Sequence, residues 1–145
     1  MSDTTLPYPK LATMRDVNAF RDHCLKSGIS LPCDDTLQDC TTSSLALPLT
    51  IAGNKLSNRF AIQPMEGWDA NADGTPSEQT MRRWQRFGSS GAKLIWGGEA
   101  VAVRPEGRAN PNQLLLNAHT QTGVAHLRET LLHAHKEATG EADAP

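Results

Sequence analysis

A capped helix set between two short apolar runs constrains this chain more than any other feature. Thr75-Pro76-Ser77-Glu78 has the composition of a capping box, with proline at the first helical position, where its missing N–H leaves no bond unmade. Met81, Trp84 and Phe87 follow as an apolar stripe, and Gly88 supplies a stop. Before this helix lies Phe60-Ala61-Ile62, expected to be a buried strand. After it comes a strand expected over Ala92–Val103, whose centre Leu94-Ile95-Trp96 is continuously apolar, as in a strand covered on both faces. A last helix is expected over Thr122–Thr139, with Val124, Leu127, Leu131 and Ala134 or Ala138 on one face and Gly140 as its end. Strand, helix, strand, helix is the pattern of a parallel sheet, and its crossover is expected to be right-handed. The pattern alone does not separate a barrel from an open doubly wound sheet.

Upstream, residues 12–28 read as a helix, with Thr13 as cap and Asp16 three residues later. Val17, Phe20 and Cys24 recur at helical spacing, and Gly28 suits a left-handed stop. Pro32, Asp34-Asp35 and Thr41-Thr42-Ser43-Ser44 break any period over residues 29–45. Leu47–Ile51, Gly53-Asn54 and the residues from Lys55 onward resemble a hairpin whose second arm runs into the first strand. Three segments follow: an N-terminal helical arm and loop (1–45), an α/β segment (46–140), and a polar, frayed tail (141–145).

Charge and cysteine usage narrow the class. Fourteen basic and 16 acidic residues are interspersed, for a net charge of −2. No basic stripe points to nucleic acid. No apolar run approaches the ~20 residues of a membrane span. The start Met1-Ser2-Asp3-Thr4-Thr5 lacks the basic and apolar regions of a signal peptide. Cys24, Cys33 and Cys40 are odd in number and lack C-x-x-C spacing, so reduced thiols in a cytoplasmic protein are expected.

Two motifs are decoys. Asp69-Ala70-Asn71-Ala72-Asp73-Gly74 matches the first half of an EF-hand loop. The twelfth position, though, is Thr80 rather than glutamate, and Pro76 and a helix start fall inside the loop. His119, His126, His133 and His135 suggest a metal, but His126 and His133 stand two helical turns apart, about 10 Å, too far for one ion. They are expected to be solvated. There is no G-x-G-x-x-G, no Walker loop and no nucleophile elbow.

Three blocks point further. Asn58-Arg59-Phe60-Ala61-Ile62-Gln63-Pro64-Met65, then Gly91-Ala92-Lys93-Leu94-Ile95-Trp96-Gly97-Gly98-Glu99-Ala100, then Pro105-Glu106-Gly107-Arg108 occur in this order. Together they resemble the opening of the old yellow enzyme family, the FMN-dependent NADH:flavin oxidoreductases. The likeness runs from about Leu47 to Gly140; residues 1–45 have no counterpart in it. It implies the N-terminal hairpin and first two βα units of a (β/α)8 TIM barrel, incomplete at 145 residues because such a barrel needs about 250. It also implies FMN as cofactor, NADH or NADPH as reductant, and a small-molecule acceptor such as an activated alkene.

Barrel enzymes place chemistry at the carboxyl ends of strands. Carried over from the family, Pro64, Met65, Glu66 and Ala100 are the expected flavin contacts, and small residues such as Ala100 and Gly98 suit a place where backbone comes close to a flat ring. The plain alternative is that they are barrel-core and turn residues. Glu66 departs from the family, where threonine or cysteine is usual. It either faces the flavin, disfavouring the anionic reduced form, or turns out to pair with Arg59 or Arg104.

The family's flavin-binding glutamine, substrate-binding histidine pair, proton-donating tyrosine and flavin-supporting arginine all come from later strands. The chain is therefore expected to be the inactive N-terminal part of an FMN oxidoreductase. The alternative is a noncatalytic fragment or interaction module without flavin. Two parallel strands leave an unpaired edge at Leu94-Ile95-Trp96, so self-association through that edge is also expected.

Overall fold

A computed structural model describes residues 9–141. The signal-peptide reading at Met1–Thr5 and the tail beyond Glu141 lie outside that range. The chain divides into two units, Met1–Asp39 and Cys40–Pro145.

In the first unit a single 3-10 turn, Leu11–Thr13, precedes helix α1, Val17–Lys26. Asp16, not Thr13, is the cap: its carboxylate accepts from the Ala19 N–H at 2.8 Å. The Thr13 hydroxyl instead donates to the Lys10 carbonyl at 2.7 Å. Gly28 ends the helix in the left-handed region (φ 68°), letting the Ile29 N–H reach the Cys24 carbonyl at 2.9 Å. Arg21 crosses to the Asp35 carboxylate and the Cys33 carbonyl, which ties the following loop to the helix.

The second unit begins with an antiparallel hairpin, β1 (Leu49–Ile51) and β2 (Asn54–Leu56). Its turn, Ala52-Gly53, holds both residues at positive φ (48° and 84°), as a two-residue hairpin loop requires. Then come β3 (Ala61–Ile62), α2 (Glu78–Ser89), β4 (Leu94–Ile95) and α3 (Gln121–Thr139). β3 and β4 pair in parallel, Ala61 with Leu94 and Ile62 with Ile95, with α2 as the crossover. The unit is thus a small α/β fold, with the strand–helix–strand–helix order expected from the sequence.

Its core is Ala70, Trp84, Leu114, Leu127 and Leu131, flanked by Met81, Phe87, Ile95, Val101 and Leu132. The two helices touch at Gly88, where a Cβ would stand 2.1 Å from the Leu131 carbonyl oxygen. Gly140 ends α3 in the left-handed conformation, its N–H on the Lys136 carbonyl at 2.9 Å.

In this second unit four expectations change. The capping box sits two residues later than Thr75: Ser77 caps α2, its hydroxyl accepting from the Thr80 N–H at 3.2 Å, and the Thr80 hydroxyl accepts in return from the Ser77 N–H at 3.3 Å. Threonine at the third helical position makes the reciprocal bond that glutamate or glutamine makes in the usual box. Second, the strand expected over Ala92–Val103 is regular only at Leu94–Ile95. Gly97 and Gly98 adopt positive φ (72° and 69°) and turn the backbone out of the ladder. Pairing resumes only as single bridges, Met65 with Glu99 and Ala102 with Leu115. Third, β4 is covered on one face. Ile95 packs on the core, whereas Trp96, pointing the other way along the pleat, is 64% exposed. Fourth, the first strand is not buried, for Phe60 is 51% exposed and Ala61 is open to solvent.

Candidate functional site

The carboxyl ends of β3 and β4 lie side by side because the chain bridges Met65 to Glu99 after the regular pairing ends. The Ala100 N–H donates to the Met65 carbonyl at 3.2 Å, and the Ala100 carbonyl accepts from the Gln113 side chain at 3.0 Å. Met65 and Ala100 are therefore direct neighbours, with Pro64 and Glu66 flanking Met65. All four expected contact residues come together on one rim. Pro64 and Ala100 are half-buried, while Met65 and Glu66 are exposed. Glu66 accepts weakly from the Trp68 indole N–H at 3.4 Å. Arg104 pairs with Glu106 at 3.4 Å instead, so the outward ion pair considered for Glu66 does not form with it.

The rim is held from below by a charged network on α2. Glu99 is 4% exposed, and its carboxylate accepts from Arg83 at 2.5 Å and from the Trp84 indole N–H at 3.0 Å. Arg83 also reaches Asp69 at 2.9 Å, and Asp69 accepts from the Thr80 hydroxyl at 3.0 Å. The loop after β3, the loop after β4 and the first two turns of α2 thus share one guanidinium. Burial pushes the Glu99 carboxyl above its ordinary value. The Trp84 N–H and the Arg83 charge pull it back, and the Asp69 charge adds to the rise. Two glycines fit the loops to this network. A Cβ on Gly67 would overlap the Arg83 guanidinium at 2.1 Å, and one on Gly98 would overlap the Trp84 ring at 2.4 Å.

Glu99, Arg83 and Asp69 were not among the expected contact residues. The signal was a lone acid following two glycines at the end of an apolar run, with an arginine beside the helix's buried tryptophan. Each is ordinary by itself, and only the fold brings them together.

The EF-hand-like loop is occupied by its own chain. Asp69 belongs to Arg83 and Thr80, while Asp73 accepts from the Thr75 N–H at 3.0 Å and its hydroxyl at 2.6 Å, which lowers the Asp73 pKa. Of the histidines, His119, His126 and His133 are exposed as expected, but His135 is 1% exposed. It follows Leu127 and Leu131 at four-residue steps, so the helical period carries it into the core. There its Nε2 lies 3.4 Å from the Lys93 ammonium, which also pairs with Glu141. This pairing sits at the opposite end of β4 from Glu99 and ties α3 to the base of the strand.

No protein-family profile matches the chain, and no characterised protein matches it at a significant level. Among the described residues no helix is long and apolar enough to cross a membrane.

Proposed function

We propose that the chain is the N-terminal part of an FMN-dependent oxidoreductase resembling the old yellow enzymes, with Pro64, Met65, Glu66 and Ala100 forming one wall of the flavin site. FMN would carry hydride from NADH or NADPH to an activated alkene or another small acceptor. The observation that supports this reading most is the direct bond between Ala100 and Met65. It makes one surface of two segments that the resemblance names separately.

The donors at this wall suit a flat ring in part. The Ala100 N–H is spent on Met65, so Ala100 would offer its methyl face rather than a donor. Among the described residues no hydrogen bond claims the backbone N–H of the exposed Glu66, which leaves that group to meet a ring's polar edge. Glu99 and Arg83 would hold the wall from behind without touching the ligand. Two strand ends make a wall and not an enclosure, so the chain alone is inactive in NAD(P)H oxidation.

Titration of FMN into the purified chain, followed by flavin fluorescence, tests this. Saturable quenching is expected, weakened by Ala100→Trp, with NADPH oxidation no faster than with free FMN. Unquenched flavin at millimolar concentration would contradict the reading. A second reading, an interaction module without flavin, draws on the large apolar side chains left open near the same rim: Met65 is 72% exposed, Trp68 60% and Trp96 64%.

A further inference from the structure

Behind β4, on the side of α3, lies an open cleft of about 350 Å³. Trp84, Ile95, Val124, Leu131 and Leu132 supply most of its apolar lining, and Pro64, Met65, Glu66 and Ala100 take no part in it. The lining contains one charged residue, Arg128, which is exposed on α3. Among the described residues no hydrogen bond or ion pair engages its guanidinium.

These features define a guest. For scale, an enclosed apolar cavity of roughly 150 Å³ holds a benzene-sized molecule. The volume here is about twice that. A largely apolar pocket with one well-placed polar group is the usual form of a small-molecule site. An unpaired guanidinium selects a planar anion, since its fork of N–H donors matches a carboxylate.

We propose that this cleft binds a small amphipathic carboxylate, its apolar body beside Trp84 and Leu131 and its carboxylate on Arg128. The site shares Trp84 and Gly98 with the back of the flavin wall but none of its four contact residues, and its test does not depend on flavin binding.

Isothermal titration of the whole chain with naphthoate, and with naphthylmethanol as its neutral counterpart, tests the proposal. One saturable site per chain is expected, with naphthoate tighter by roughly two- to fivefold, the range an exposed ion pair supports. Arg128→Gln should erase that preference and leave the alcohol's affinity unchanged. Ala125→Trp, placed on the exposed side of the lining, should abolish binding of both. Arg128 and Ala125 are both exposed, so the variants should fold; circular dichroism checks that α3 persists. The proposal is overturned by absence of saturable heat at millimolar ligand, by a preference that survives Arg128→Gln, or by binding that survives Ala125→Trp. Self-association that Ala125→Trp blocks would assign the cleft to a second copy of the chain, and would overturn it equally.

Discussion

The two faces of the β3–β4 pair have opposite surroundings. Toward the helices, Ile95 meets the Trp84, Leu127 and Leu131 core, and the polar atoms at the strand ends find Arg83, Thr80 and the indole N–H. Toward the other side, Trp96 stands mostly open, and beyond the regular ladder Met65 is exposed at the strand's end. The strands are the same, so the difference arises from what α2 and α3 cover. The helix-covered face carries the packing, while the open face leaves large apolar side chains to solvent.

The largest test of this contrast is Leu127→Ala. Leu127 is fully buried in the core cluster, so its truncation should cost about 2–5 kcal/mol in urea unfolding. A loss below 1 kcal/mol, roughly the effect of a surface change, would show that the helix-covered face is not the stabilising one. Next comes Gly98→Ala. It adds left-handed strain to a clash with the Trp84 ring, together about 2–4 kcal/mol, and should also alter the fluorescence of that buried tryptophan.

A subtler test uses pH. The raised pKa of Glu99 means the folded state holds its proton more tightly than the unfolded one. Stability from this group is therefore present below the unfolded carboxyl value and lost as pH rises through the folded one. Measured by urea unfolding at a series of pH values, wild type should gain on Glu99→Gln as pH falls through the folded value. A gap that narrows on acidification would reverse the sign assigned to burial.

The smallest stability effect belongs to the open face. Trp96→Ser should change stability by no more than about 0.5 kcal/mol, yet lower self-association in sedimentation at high concentration. A large destabilisation would mean that the face is covered after all.

What the sequence revealed follows the same division. α3 and its Gly140 stop were legible because a long amphipathic period and a terminal glycine are both local signals. α2 was legible in position but not in register, since Thr75-Pro76-Ser77-Glu78 offers two residues able to cap and only packing chooses Ser77. β4 misled because Leu94-Ile95-Trp96 is equally apolar whether one face is covered or two. Gly97-Gly98 broke the strand through a backbone conformation that apolar periodicity does not report. At the rim, the resemblance named residues that the fold makes adjacent. The Arg83 network stayed hidden because Asp69, Arg83 and Glu99 lie 14 and 16 positions apart, beyond any local pattern.

The central claim is that the ends of β3 and β4 form one wall for a flat ring. Two-dimensional amide spectra of the labelled chain during FMN addition test it most directly. The shifts should concentrate at Met65, Glu66, Gly67 and Ala100 and leave the Leu49–Leu56 hairpin unmoved. Shifts confined to that hairpin or to α1, or no shifts at saturating FMN, would contradict it.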